Sequence, residues 1–187
     1  TVTYDTVAPT LTLQQAADQV DPAKSSAIKF TLTSSEALDS ATITASDFTV
    51  TNGGTPTITG TGTMWTITTT ATADGAVTIA PSGTFSLSDP AGNATTTAVG
   101  AARSVTFDTV APTVTISSGP SGTVASSSAN FAFTASETAT FECNLDSAGW
   151  VACTSPQAYT ALADGSHTVQ IRATDQAGNV GTATSRT

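Results

Sequence analysis

Acidic side chains recur at matching positions in the two halves of this 187-residue sequence. Each half supplies one glutamate and two aspartates from three separate segments, and no lysine or arginine is adjacent to any of them. Carboxylates held together without a positive charge repel one another, so such a group favours a bound cation. Calcium is coordinated by oxygen atoms, including those of carboxylates. The predicted calcium ligands are Asp5, Glu36 and Asp89 in the first half, and Asp108, Glu137 and Asp175 in the second.

An asparagine follows the last acid of each set. The segments read Asp89-Pro-Ala-Gly-Asn93 and Asp175-Gln-Ala-Gly-Asn179. Asn93 and Asn179 can add side-chain or backbone oxygen atoms to the same cation. A second interpretation needs no metal: the aspartate caps its own hairpin turn, Gly-Asn tolerates positive φ, and the glutamate caps the amides of its loop. Both interpretations stay open from the sequence.

The two cysteines, Cys143 and Cys153, lie ten residues apart around an Asp-Ser-Ala-Gly turn. The spacing predicts a disulfide between neighbouring strands, and two buried free thiols are the alternative. A disulfide closing this loop contributes about 2.5–3 kcal/mol to stability, and it indicates an oxidising compartment. Two cysteines are too few for a structural zinc site, which uses four ligands.

Composition and motifs exclude several classes of function. The net charge is −9 and the five basic residues do not cluster, so no nucleic-acid-binding face is expected. No apolar run reaches the length of a membrane span, and no signal peptide opens the sequence, which reads as an excised fragment. The single histidine, His167, lacks the motif partners of a catalytic triad. We therefore predict that the chain is not an enzyme.

The composition also indicates the fold class. Threonine accounts for 41 of the 187 residues, and β-branched side chains suit strands better than helices. Short alternating runs separated by Gly- and Asn-rich breaks predict about seven strands in each half. The expected fold is all-β, with two tandem immunoglobulin-like Greek-key β-sandwiches and almost no helix. Thr42–Val50 and Thr95–Phe107 are each expected to form one strand, and Trp65 is expected in the first core.

An internal repeat sets the predicted domain boundary. Tyr4-Asp-Thr-Val-Ala-Pro-Thr10 recurs as Phe107-Asp-Thr-Val-Ala-Pro-Thr113, 103 residues later. The predicted modules are residues 1–107 and 108–187, and residues 1–4 are expected to be the tail of a preceding module. In such a sandwich, the start of the module, the loop after the second strand and the last hairpin share one end. That geometry brings each acidic set together.

Further motifs accompany this repeat. In the first module they are Ser35-Glu36, Ser46-Asp47-Phe48-Thr-Val50, Asp74-Gly75 and the Asp89–Asn93 segment. In the second they are Phe141-Glu-Cys143-Asn-Leu-Asp146, Trp150, Cys153-Thr-Ser-Pro156, Asp164-Gly-Ser-His167 and Ala173-Thr-Asp175-Gln-Ala-Gly-Asn179. With these residues the first module resembles the bacterial Ig-like repeats of large cell-surface and secreted adhesins, and the second resembles a neighbouring Ig-like family. The resemblance implies stalks, spacers, adhesive modules or accessories to enzymes, with calcium near module junctions.

The predicted function is that of a non-catalytic extender in a secreted or cell-surface protein. Rod-like tandem modules would project or space other domains, stiffened by calcium at module ends, and their partners would be neighbouring Ig-like modules of the same chain. One alternative is an adhesive module that binds carbohydrate or another surface ligand. That alternative requires an exposed aromatic side chain such as Trp150 or Tyr159. Another alternative is an accessory region of a secreted hydrolase.

Overall fold

The structure of the chain is a computed structural model that describes residues 4–95 and 100–187. It divides into two compact units, Thr1–Asp108 and Thr109–Thr187. The division falls one residue after the position expected from the repeat, since the backbone N–H of Asp108 donates to the carbonyl of Ala23, 2.9 Å away. Of the four residues expected to belong to a preceding module, residues 1–3 lie outside the described part of the chain.

Strands and turns make up nearly all of the described residues, which confirms the expected all-β, immunoglobulin-like sandwich fold. The helical segment found within residues 4–95 and 100–187 is one 3₁₀ turn, Ala45–Asp47. None of the described segments forms a helix long and apolar enough to span a bilayer.

The first module is built from antiparallel sheets around one core. Its strands are β1 Leu11–Gln15, β2 Ala27–Ser34, β3 Phe48–Thr51, β4 Thr57–Thr61, β5 Met64–Thr70, β6 Gly75–Pro81, β7 Leu87–Ser88, β8 Ala94–Thr95 and β9 Arg103–Phe107. One sheet has the order β1-β2-β5-β4, another has the order β3-β6-β9, and β7 pairs with β8. Strands that are distant in sequence, such as β2 and β5, are neighbours, as a Greek-key arrangement requires.

Alternation along the strands forms the first core. Ile28, Phe30 and Leu32 of β2 point inward and are fully buried, while the residues between them face the solvent side. Successive side chains of a strand lie on opposite faces, so one face of β2 is apolar throughout. Trp65 of β5 pairs with Leu32 and is buried as expected, with its indole N–H donating to the Gly62 carbonyl at 3.2 Å.

Two expected strands are shorter in the structure. The prediction of a strand over Thr42–Val50 was wrong in its first half. There the Asp47 carboxylate accepts hydrogen bonds from the backbone N–H and the hydroxyl of Thr44, at 2.7 and 2.8 Å. Such local side-chain bonds replace the ladder of a sheet, so the strand begins at Phe48. Within the expected strand Thr95–Phe107, pairing is seen at Thr95 and from Arg103 onward, and residues 96–99 lie outside the description.

The second module has a smaller core between two sheets. Its strands are β10 Val114–Ser118, β11 Ala129–Ala135, β12 Ala139–Leu145, β13 Val151–Cys153, β14 Gln157–Tyr159, β15 Val169–Asp175 and β16 Thr184–Arg186. The sheets have the orders β10-β11-β14 and β13-β12-β15-β16. Phe133 packs edge-on against Phe141 with ring centroids 5.0 Å apart, which joins the two sheets across the core.

The predicted disulfide is confirmed and it fastens an edge strand. Cys143 of β12 is bonded to Cys153 of β13, with their Cα atoms 5.8 Å apart. The two cysteines are diagonal neighbours, because Cys143 is paired with Val151 and Phe141 with Cys153. Strand β13 has only three residues and lies at the edge of its sheet. The covalent bond holds this short strand to the core.

Replacing both cysteines with alanine is expected to destabilise the second module by about 2.5–3 kcal/mol, since the closed loop no longer restricts the unfolded chain. The first module contains no cysteine and should be unaffected. Differential scanning calorimetry of the wild type and the double variant measures both effects. A shift of both unfolding transitions by similar amounts would contradict the assignment of the disulfide to one module.

Candidate metal-binding sites

The structure brings the six predicted acids into two groups of three. In each group, one carboxylate oxygen from each residue lies within 4.8 Å of the others. We call Asp5, Glu36 and Asp89 the first triad, and Asp108, Glu137 and Asp175 the second triad. Asp5 precedes β1, Glu36 follows β2 and Asp89 follows β7, so three separate segments meet at one point.

Strand periodicity buries one aspartate of each triad. Along β15, Val169, Ile171 and Ala173 point inward, and the same alternation turns Asp175 inward at the strand end, where it is 9% exposed. Asp89 follows the buried Leu87 by two residues and is 2% exposed. A carboxylate withdrawn from water in this way requires hydrogen-bond donors.

Asn93 supplies those donors to Asp89. Its backbone N–H donates to Asp89 Oδ1 at 2.9 Å, and its side-chain amide donates to Oδ2 at 2.8 Å. The same amide nitrogen donates to the carbonyl of Asp5 at 3.2 Å. Only the nitrogen of the amide can donate to two oxygens, so the orientation of the Asn93 side chain is determined by its partners. Asn93 therefore holds Asp89 and the Asp5 segment together through its amide nitrogen; cation ligation through its oxygen atoms stays a prediction.

The second triad repeats this arrangement. Asn179 donates its backbone N–H to Asp175 Oδ1 at 2.8 Å and its side-chain amide to Oδ2 at 2.9 Å. In both modules the aspartate N–H returns a bond to the asparagine carbonyl at 3.2 Å. The hairpin function proposed for these residues in the metal-free interpretation is thus part of the observed structure.

These donors shift the pKa values of the buried aspartates. The side-chain amide of Asn93 is the main cause of the lowered pKa of Asp89; burial opposes it, and backbone N–H groups add to it. Burial is the largest single influence on Asp175 and acts to raise its pKa. Bonds from the backbone and side chain of Asn179, and from neighbouring backbone N–H groups, outweigh that burial and leave the pKa lowered. Both aspartates are consequently held in the ionised form.

A serine positions the loop that carries each glutamate. Ser35 accepts a hydrogen bond from the N–H of Thr10 at 2.9 Å through its hydroxyl, and its own N–H donates to the Thr10 carbonyl at 2.9 Å. Ser136 and Thr113 make the same two contacts at 3.0 Å. These bonds fix the loop after the second strand against the start of the first strand. The repeated Ser-Glu pair was visible in the sequence. The structure shows that the serine binds the backbone before the first strand of its module.

The pKa of Glu36 is shifted in the opposite direction to that of Asp89. Burial, and then the negative charges of Asp5 and Asp89, raise the pKa of Glu36. The ion pairs seen among the described residues are Lys29–Asp18, His167–Asp146 and Arg172–Glu142, so none of them involves the first triad. The first triad thus concentrates negative charge: Asp89 and Asp5 accept hydrogen bonds, Asp5 from the Val7 N–H at 3.0 Å, whereas Glu36 is repelled by both.

The geometry of the triads fits a calcium ion. Oxygens bound to one calcium ion at about 2.3–2.6 Å lie at most about 5 Å apart, and the carboxylate oxygens of each triad meet this condition, since they lie within 4.8 Å of one another. The donors are oxygens alone, which suits calcium better than zinc or copper. The remaining coordination positions would be taken by carbonyl oxygens or water, as is usual for calcium.

The aromatic residues of the alternative function are only partly accessible. The guanidinium of Arg172 covers one face of Trp150 at 4.3 Å from the ring centroid, and its Nε donates to Glu142 at 2.8 Å. Tyr159 packs edge-on against Phe131 with centroids 6.2 Å apart. Trp150 and Tyr159 are both partly exposed, and one face of Trp150 is covered by Arg172; the adhesive alternative stays a prediction.

Two solved structures illustrate the similarity of this chain to known proteins. No family model and no curated protein matches the chain. The fibronectin(III)-like modules of Clostridium thermocellum CbhA are 17% identical, with a TM-score of 0.41, over 92% of this chain and 90% of that one. The Yersinia pseudotuberculosis adhesin InvE is 14% identical, with a TM-score of 0.31, over 94% of this chain and 58% of that one. Similarity at this level carries no argument about function, and the fold assignment rests on strand order and core.

Glu36→Gln should make the first module slightly more stable when a chelator removes divalent cations. At pH 7 we expect its melting temperature to rise by about 1–2 °C, because the variant lacks the charge repelled by Asp5 and Asp89. The raised pKa means that wild-type Glu36 costs stability only when ionised. Its stabilising contribution is therefore present below the ordinary value of about 4.3 and lost as the pH rises through the higher folded value.

Calorimetry in chelator at pH 7 and at pH 4.5 tests this expectation, and the two melting curves should converge at the lower pH. Glu142→Gln is the matched control, since it removes a carboxylate that pairs with Arg172 and should give no gain. A wild-type first module that melts above Glu36→Gln in chelator at pH 7 would show that the triad is not repulsive.

Proposed function

We propose that this chain is a non-catalytic structural segment of a secreted or cell-surface protein, and that each triad binds one calcium ion. The observation that carries the proposal is the recurrence of one arrangement in both modules: an Asp–Glu–Asp triad, an Asn holding the buried Asp, and a Ser holding the Glu loop. The modules differ elsewhere, because their cores differ in size and only the second contains a disulfide.

The charge state of the first triad favours a cation over simple turn capping. Capping accounts for Asp89, which receives N–H donors and has a lowered pKa. It does not account for Glu36, because a carboxylate that accepts amide hydrogen bonds has a lowered pKa, whereas that of Glu36 is raised. A divalent cation would reverse this repulsion and contribute affinity from all three carboxylates.

The location and role follow from the same features. A disulfide between Cys143 and Cys153 persists in oxidising environments, which supports an extracellular or cell-surface location. Extracellular calcium is abundant enough for sites with dissociation constants of about 0.1–1 mM. In this proposal the modules space or project other domains, and bound calcium limits motion at the module ends, as the resemblance to bacterial Ig-like repeats implies.

Calcium should stabilise both modules, and each glutamate variant should remove the effect from one of them. Calcium at about ten times its dissociation constant adds about 1.4 kcal/mol, and at a hundredfold excess about 2.7 kcal/mol. Calorimetry with millimolar calcium and with chelator should raise both transitions in the wild type, only the second-module transition in Glu36→Gln, and only the first-module transition in Glu137→Gln. The transition of the second module is identified as the one that shifts in the cysteine double variant.

Two controls make the test specific. Glu142→Gln should retain the calcium effect on both modules, because Glu142 belongs to neither triad. Magnesium at equal concentration should stabilise less, since it demands a smaller, near-octahedral site. Superimposable melting curves of the wild type in calcium and in chelator would refute calcium binding, and they would leave the extender role without its main support.

A further inference from the structure

The imidazole of His167 lies between two oxygen atoms in the second module. Its Nδ1 is 2.6 Å from Oδ2 of Asp146, and its Nε2 is 2.9 Å from the carbonyl oxygen of Ala163. Asp146 belongs to the loop between β12 and β13, and Ala163 to the loop between β14 and β15, residues 160–168. One side chain therefore connects these two loops.

Both ring nitrogens face atoms that can only accept a hydrogen bond. A carboxylate oxygen and a carbonyl oxygen each require a donor, and imidazole carries two N–H donors only when it is protonated. In the neutral form one N–H satisfies the carboxylate, which is the stronger acceptor. The lone pair of the other nitrogen then faces the Ala163 carbonyl, and that contact becomes repulsive.

The neighbouring charges are few. Asp146 contacts the ring directly, and Asp164 lies in the same loop and borders the same cavity as His167. Arg186 of the adjoining strand β16 directs its guanidinium to the carbonyls of Ile116 and Gly119. Asp146 is thus the charged group that acts on His167 from another element of the module.

The loop held by this contact is anchored at its ends. Thr168 donates its N–H to Asp146 Oδ1 at 2.7 Å and accepts the Asp146 N–H at 2.9 Å, and neither bond depends on the imidazole. At the other end, the Leu162 N–H donates to the Ser127 carbonyl at 2.9 Å. Between these anchors, residues 163–166 are exposed, and the bond from His167 to Ala163 closes the segment on itself.

The loop has two residues with positive φ and borders a cavity. Ala161 has φ of 56°, a left-handed conformation that costs a residue with a side chain about 1 kcal/mol or more. Gly165 has φ of 145°. Residues 163–166 border a cavity of about 800 Å³ whose lining includes the core residues Phe131 and Val169.

We propose that His167 is a pH-dependent latch: the protonated ring holds residues 163–166 closed along this cavity, and loss of the proton releases Ala163 and lets the segment open. The electrostatics agree with this geometry. The hydrogen bond to Asp146, followed by that to Ala163, raises the pKa of His167, and His167 in turn lowers the pKa of Asp146.

The direction of the effect follows from the sign of the shift. A raised pKa in the closed state means that protonation favours closure, so the stabilisation is complete below the ordinary histidine value of about 6.5. It is lost as the pH rises through the higher value of the closed state. The latch therefore closes below the ordinary histidine pKa of about 6.5 and opens as the pH rises through the raised pKa of the closed state.

Nuclear magnetic resonance on the intact chain tests the latch. The ring protons of His167 report its titration, and backbone ¹⁵N relaxation reports order in residues 163–166. As His167 loses its proton, the order parameters of these amides should fall from about 0.85 to below 0.6. The amides of Val169 and Ile171 in β15 should stay rigid, which separates local opening from unfolding.

Two variants make the result decisive. His167→Phe keeps a ring without nitrogen atoms, so residues 163–166 should be mobile at every pH. Asp146→Asn removes the charge that favours protonation, so both the titration of His167 and the change in loop order should move together to lower pH. The latch is overturned if wild-type loop order stays constant through the titration, if the pH-dependent change persists in His167→Phe, or if Asp146→Asn leaves the midpoint unchanged.

Discussion

A carboxylate buried at the end of a strand is the constraint on which the acidic end of each module depends. Asp175 continues the inward row of β15, and Asp89 continues the inward position of Leu87. Such a group is tolerated only with hydrogen-bond donors, and an asparagine four residues later provides them from its backbone and side chain. The need for these donors determines the conformation of the hairpin that joins each aspartate to its asparagine. The other two acids of the triad approach that hairpin from separate segments.

The two modules stabilise unequal cores by different means. The first gathers a large set of buried side chains, including Phe30 and Trp65, and contains no cysteine. The second has a smaller core and adds a disulfide at an edge strand. Small domains bury a smaller share of their surface, so a covalent constraint contributes relatively more to their stability. The acidic end is what the modules share.

The acidic side chains discussed above lie in three kinds of electrostatic environment. Asp89 and Asp175 are held ionised by amide donors, and Asp146 by a histidine, so their pKa values are lowered. Glu142 pairs with an arginine that also covers Trp150. Glu36 is surrounded by like charge and burial, and its pKa is raised. An added cation would relieve the repulsion at Glu36, which supports the calcium proposal for the first triad.

The sequence by itself determined the all-β class, the two-module division, the disulfide and the six acids of the triads. The fold class follows from alternating apolar residues, the modules and the acids from a repeated segment, and the disulfide from the short spacing of the cysteines. Each of these features can be read directly from the sequence. Only the tertiary structure decided that residues 42–47 leave the expected strand, that the Asn93 amide donates to Asp89 and to Asp5, and that His167 contacts Asp146. The reason is that these outcomes depend on which acceptor lies opposite which donor, a choice made by segments up to 88 residues apart. Periodicity predicts the face on which a side chain lies, but its partner is determined only when the strands are assembled.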